Sequence, residues 1–418
     1  MIFPSLEKNF PEEYKILQWE LHRQKTWIEL IPSENYASQA VIEALWTHFT
    51  NKYSEWYPWK RYYWGQEFTD QIEQKAIDLA KKIFNWWHAN VQPISWAVMN
   101  IATYFALLEP WDTILWMDLS HWWHLTHWHP VTHMYKVFNF VRYKTDQANW
   151  WVIDYENLRE MALKHKPKLI LAWFSAYSRN LDWKKFKEIA DEVWALTMAD
   201  VSHIWWLIAW KAIENPMDYW FDVLTTTTHK SLRWPRWWLI ISKNEEIWKK
   251  IDKAVFPWLQ WWPLMNAVFS KLICFKEADT KKFEEYAKNI IKNAKTLCNK
   301  LEELWYVPMN WWTENHLIML DITKNGLTWK QAQELLDKAW ITLNMNMIPD
   351  DPRKPLDPSW IRFWTPAVTT RWMWEKEMIK IAEFMDKVFK NSENLEIISE
   401  VKKWVEKMCE EFPVPGIE

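Results

Sequence analysis

The sequence predicts an α/β protein in which a large domain with a mostly parallel, mixed sheet is followed by a smaller C-terminal α/β domain. Three observations predict it. Apolar, strand-like runs alternate with segments of helical period from Asp112 to Lys230, the pattern of units that build a parallel sheet with its ligand at the strands' carboxyl ends. The segments that end at that edge carry reactive side chains: His124, Ser175, Asp200 with His203, and Lys230. A second, shorter set of strands and helices follows a long helix that begins at Lys281. The expected divisions are an N-terminal arm and helix over 1–50, a large domain over 51–280 and a small domain over 281–418.

Composition narrows the class. A chain of 418 residues can bury two or three cores, and 51 basic against 54 acidic residues give neither a nucleic-acid footprint nor a polybasic membrane patch. Three separated cysteines, Cys274, Cys298 and Cys409, argue against a disulfide framework and for a cytoplasmic setting. The opening MIFPSLEKNFPEEY lacks the form of a secretory signal, and no apolar run is long enough to cross a bilayer.

One feature is anomalous: 40 tryptophans stand beside 3 glycines, where average usage would give roughly 29 glycines. The tryptophans also occupy turn contexts, as in Pro58-Trp59-Lys60, Pro110-Trp111-Asp112, Trp234-Pro235 and Trp261-Trp262-Pro263, where a residue without a Cβ is favoured. The expectation is that the gene uses UGA as a glycine codon and that the chain is written with a table in which UGA means tryptophan. In that case the codons of Trp96, Trp122, Trp237 and Trp262 are UGA.

The elements follow in order. The first residues, to about Glu20, read as an arm and helix leading to IELIPSENY, in which Ser33 suits a helix cap before Glu34. The stretch NKYSEWYPWKRYYWG, Asn51 to Gly65, presents Tyr53, Tyr63 and one acid, Glu55, so it reads as the rim of a site, although a loop glutamate can also be merely solvated. Thr69 to Asn85 has helical spacing, and Ser95 opens a further helix to Pro110. A helix N-terminus of this kind can cradle a phosphate, or Ser95 can simply cap it. Asp112 to Leu119 is a strand. The following HWWHLTH holds His121, His124 and His127 without a carboxylate or cysteine partner in a familiar arrangement, so no metal site is read there. Further strands end near Ser175 with Tyr177, at Asp200 with His203, and at His229 with Lys230. Among hydroxyls and the cations Arg233 and Arg236, Lys230 can lose its proton and attack an aldehyde, or it can be an ordinary surface lysine. In the small domain Arg362, within SWIRFWTP, can hold a carboxylate two-pronged or pair locally.

The run TTTTHKSLRWPRWW, together with HWWHLTH and IELIPSENY, resembles the serine hydroxymethyltransferase family, with tryptophan at family glycine positions such as Trp234, Trp237 and Trp238. The resemblance spans roughly residues 25 to 390. It implies fold-type I, the aspartate aminotransferase-like fold, with pyridoxal 5'-phosphate on Lys230 and tetrahydrofolate as co-substrate. The implied reaction interconverts serine plus tetrahydrofolate with glycine plus 5,10-methylenetetrahydrofolate. Catalysis then falls to Lys230, Glu55, Asp200, His203, His124 and Tyr63. Cofactor contacts fall to Ser95, Trp96, Ala97, Ser175, His229, Tyr53 and Trp262, with Tyr53 and the loop of Trp261 and Trp262 serving a partner subunit. Substrate and folate contacts fall to Ser33, Tyr63, Arg362, Arg236, Leu119, Leu125 and Asn346. The partners implied are serine, glycine, folate and a second copy of the chain, as a homodimer or homotetramer. Three departures stand out: Ala97 replaces a usual serine, Ile94 a frequent histidine and Met345 a common lysine. Another activity on the same fold, such as threonine aldolase or an aminotransferase, is the first alternative, and a catalytically dead homologue the second.

Overall fold

The computed structural model describes residues 3–118, 133–146, 148–230, 238–242, 244–309, 312–347 and 360–417. The chain divides into two compact units. One is Ala40–Lys288, and the other joins Met1–Gln39 to Asn289–Met347 and the described residues from Trp360 onward.

The first unit is built on seven strands: β1 (His88–Asn90), β2 (Thr113–Met117), β3 (Asn139–Tyr143), β4 (Leu169–Trp173), β5 (Leu196–Asp200), β6 (Val223–Thr227) and β7 (Trp238–Ser242). Their order across the sheet is β1-β7-β6-β5-β4-β2-β3. The pairs from β6 through β3 are parallel, while β7 runs antiparallel to both β6 and β1. The sheet is therefore mixed and mostly parallel, as the alternation of segments predicts. Strands β4 and β6 are buried along their whole length, which a central strand covered on both faces requires. Buried Thr227 of β6 is tied to the turn after β5: its Oγ1 donates to the Ser202 carbonyl at 3.2 Å, and its N donates to Ser202 Oγ at 3.1 Å.

Three helices in this unit start where an acid or hydroxyl accepts an orphan amide. Ser95 Oγ accepts from Val98 N at 3.1 Å, Asp154 from Asn157 N at 2.9 Å and Asp182 from Lys185 N at 3.0 Å. The helix α2 (Trp96–Leu107) that Ser95 opens lays Met99 and Ala102 into a core with Ile114, Leu169, Met198 and Val223. The preceding helix α1 (Glu67–Phe84) follows the tyrosine-rich loop.

The second unit holds an antiparallel sheet in which Val307–Pro308, Leu317–Asp321, Trp360–Trp364 and Asn344–Asn346 lie side by side. Helices Trp329–Lys338, Glu375–Lys390 and Leu395–Glu411 pack their apolar stripes into its core through Leu336, Ile381 and Val401. The N-terminal arm belongs to this unit. Its helix runs from Pro11 to Thr26, past the expected end near Glu20, and Ile28–Glu29 pairs in parallel with Ile341–Thr342.

Candidate active site

The carboxyl edge of the parallel strands carries Ser175, Asp200, His203 and Lys230, four of the side chains that the sequence singles out. Strand β5 delivers Asp200, and the turn after it delivers Ser202 and His203. Three residues past the end of β6 comes Lys230. Asp200, His203 and Lys230 are all buried, with Lys230 only 2% exposed. Lys230 Nζ lies 3.0 Å from His203 Nε2. Burial of an amine beside an imidazole removes the surface-lysine reading.

Asp200 is held from both sides. Its Oδ1 accepts from the backbone and the hydroxyl of Ser202, and its Oδ2 accepts from Trp96 Nε1 at 2.7 Å and from Asn100 Nδ2 at 3.2 Å. Four donors at two oxygens are what an ionised carboxylate, an acceptor only, can use. Trp96 and Asn100 are one helical turn apart on α2 and so reach the same oxygen. The sequence reading passed over Asn100 and Ser202. The signal for Asn100 was present: a polar residue four positions from Trp96 on an otherwise apolar helix face.

Ser95 caps α2, with Ala97 and the exposed Ile94 beside it. Ser175 is buried just after β4. His229 is half-buried, its ring 5.6 Å from that of Trp238. Three rings of the first unit meet: Tyr53 lies 4.6 Å from Trp262 and 5.7 Å from Tyr63, centroid to centroid. Loss of solvent around the hydroxyl, then a hydrogen bond to Glu55, holds the exposed Tyr53 above its ordinary pKa. Glu55 itself is buried at the foot of this cluster. The loop is pinned from within by Arg61, which the sequence reading left unassigned. Its guanidinium bonds Asp70 at 2.8 Å and Glu73 at 2.5 Å on α1, and the carbonyls of Ser54 and Trp56 on either side of Glu55.

His124, Leu119, Leu125 and Arg236 lie outside the described residues. Ser33, Arg362 and Asn346 belong to the second unit. Ser33 sits in a turn closed by its own amide on the Ile31 carbonyl at 2.7 Å, rather than at a helix N-cap. Arg362 Nε donates to Asn344 Oδ1 at 3.2 Å, and loss of solvent lowers the guanidinium to a pKa of about 10. A desolvated guanidinium of that kind favours an anionic partner. Asn346 is buried at the end of its strand, its amide turned to the Met347 carbonyl.

A doubly wound, mostly parallel sheet with a buried lysine beyond one strand and a multiply bonded acid at the end of the next defines a class, the fold-type I pyridoxal-phosphate enzymes. Within that class the chain belongs to the serine hydroxymethyltransferase family, whose profile matches residues 6–385. A protein of Desulfotalea psychrophila (strain LSv54 / DSM 12343) described as serine hydroxymethyltransferase is 45% identical over 414 residues, which cover 99% of this chain and 96% of that protein. The family is generally pyridoxal-phosphate-dependent and takes a folate as substrate. Lys230, His203, Asp200 and Asn100 fit such a cofactor: a buried amine to bond its aldehyde, and an acid to face its ring nitrogen. Trp96 does not fit, because its indole already fills the space between that amine and that acid.

Proposed function

We propose that this protein interconverts L-serine plus tetrahydrofolate with glycine plus 5,10-methylenetetrahydrofolate, using pyridoxal 5'-phosphate. The observation that carries the reading is the buried set Lys230, His203 and Asp200 at one sheet edge, in a chain of this family. When bound, the cofactor supplies an electron sink for the bond broken at the substrate's α-carbon. The chain's own groups do the rest. Lys230 would hold the cofactor by its aldehyde until a substrate amine takes its place. Asp200, fixed by Ser202 and Asn100, would face the ring nitrogen and favour its protonated form. His203 and His124 orient the ring, and Ser95, Ala97, Ser175, His229 and Trp262 surround the cofactor. Glu55, with Tyr53 and Tyr63 beside it, moves protons at the substrate hydroxyl. Ser33, Arg362 and Arg236 hold the substrate carboxylate, and Leu119, Leu125 and Asn346 contact folate. Its setting is the cytoplasm, as a homodimer or homotetramer; among the described residues no helix is long and apolar enough to cross a membrane.

The test is an assay of protein purified from its own cells. Serine should be converted to glycine in step with the formation of methylenetetrahydrofolate, and at a negligible rate without folate. Glycine formed equally fast in the absence of folate would replace this reading with an aldolase.

A further inference from the structure

The conflict at Trp96 leads to a conclusion about what the gene encodes. For Asp200 to face a ring nitrogen while Lys230 bonds the aldehyde on the same ring, that ring must lie between the two side chains. The indole of Trp96 lies there instead. Its N–H donates to Asp200 Oδ2 at 2.7 Å, and Lys230 Nζ is 3.9 Å from its ring centroid. The indole thus makes the hydrogen bond that a protonated ring nitrogen would make, and lies under the amine.

The backbone elsewhere asks for glycine at tryptophan positions. Among the described residues thirteen non-glycine residues have positive φ, and ten of them are tryptophan, a residue that rarely adopts that region. All three glycines share it. Trp59 and Trp111, at φ 64° and 73°, each follow a proline at the third position of a turn closed by a hydrogen bond, Lys60 N to Tyr57 O at 3.0 Å and Asp112 N to Glu109 O at 3.1 Å. A proline followed by a residue of positive φ is a type II turn, and glycine is its usual third residue. Trp194, Trp305 and Trp372 each end a helix in the left-handed region, with the paired closing bonds of a Schellman motif. For Trp194 these are Ala195 N to Ala190 O at 2.9 Å and Trp194 N to Asp191 O at 3.3 Å. For Trp305 they are Tyr306 N to Leu301 O at 3.0 Å and Trp305 N to Glu302 O at 2.9 Å. Glycine is the common residue at that position. Trp150 and Trp151, at φ 55° and 58°, both take the conformation of glycine.

We infer that residue 96 and the tryptophans of positive φ are glycine in the polypeptide made by the cell, their UGA codons being read as glycine, and that residue 96 must lack a side chain for the cofactor to enter. The inference rests on the proposed function only for the role of residue 96. Two experiments test it. In the first, the gene is sequenced and peptides of the native protein are weighed. UGA codons and glycine masses are expected at 96, 111, 194 and 305; UGG codons or indole-bearing peptides there overturn the recoding. In the second, the protein with glycine at every UGA codon is compared with the same protein carrying tryptophan at 96 alone, by titration with pyridoxal phosphate and by melting temperature. Cofactor affinity should fall on the order of a hundredfold with the indole present, if it vacates the ring's place about 1% of the time, while the melting temperature of the cofactor-free protein falls by no more than a few degrees. Equal affinity of the two proteins overturns the occlusion and leaves the proposed function standing. Binding by neither overturns both.

Discussion

Asp200 is where single atoms decide most. Its four donors come from three residues, so replacing one of its oxygens by an amide nitrogen sets donor against donor. Asp200→Asn should therefore cost about 1–3 kcal/mol of stability, as for a buried polar group left unsatisfied. In the protein with glycine at 96, where the cofactor can enter, it should also lower turnover about 10²-fold or more, through loss of charge opposite the ring. Calorimetry and steady-state kinetics check the two effects separately, and unchanged turnover would remove Asp200 from the chemistry. A second prediction belongs to Glu29 in the other unit. Burial, and then the charge of Glu34, push its carboxyl up to about 8 from an ordinary 4.5. Between those values the folded chain keeps a proton that the unfolded chain releases. The contribution is fully present below about 4.5 and is lost as pH rises through about 8, so stability falls across that window. Glu29→Gln should flatten this part of the melting temperature profile, and an unchanged slope would assign it to another group.

Elements in this protein are tied by charged side chains whose partners are distant in sequence. Arg371 is fully buried, and its guanidinium donates to the carbonyls of Lys25 and Trp27 at the end of helix Pro11–Thr26 and of Cys409 and Phe412 at the end of helix Leu395–Glu411, at 2.7–2.8 Å. A cation at two helix C-termini meets their orphan carbonyls and their dipoles together. Arg371→Met should cost on the order of 3–5 kcal/mol, read by denaturant unfolding; a loss under about 1 kcal/mol would mean that water replaces the guanidinium. Clamps of this kind also mark the limit of what the sequence shows. The starts of α2 and of Leu395–Glu411, and the ends of β5 and β6, are legible because caps, apolar period and β-branched runs are local signals. Strand β1, His88–Asn90, has too few residues to alternate, and its partner Trp238–Ser242 lies some 150 residues on. Arg61 meets its acids nine and twelve residues away on a helix, and nothing local marks the match. The convergence of Lys230, Asp200 and His203 is legible, since each follows a strand; Asn100 and Ser202 gain a role only through their bonds to Asp200, which no local pattern displays.

At the scale of the whole molecule the tryptophan anomaly becomes a question of stability. An L-residue held in the left-handed region costs roughly 1–2 kcal/mol. Ten such tryptophans sum to on the order of 10 kcal/mol, against a typical total stability of 5–15 kcal/mol. The written chain would thus give up most of its margin in its turns. Exposure decides whether contacts repay that cost. Trp194 is 93% exposed, Trp305 88% and Trp111 71%, so their rings recover little burial, whereas Trp340 stacks on Trp27 at 5.9 Å and loses that contact if it is cut back. Trp111→Gly, Trp194→Gly and Trp305→Gly should each raise stability by about 1 kcal/mol. Because the three sites lie on separate turns with no shared partner, the triple variant should gain roughly their sum. Chemical denaturation of the single and triple variants measures it. A neutral or destabilising result at all three would mean that these turns accept an indole at no cost, and would leave the glycine reading of the surface tryptophans to the codons alone.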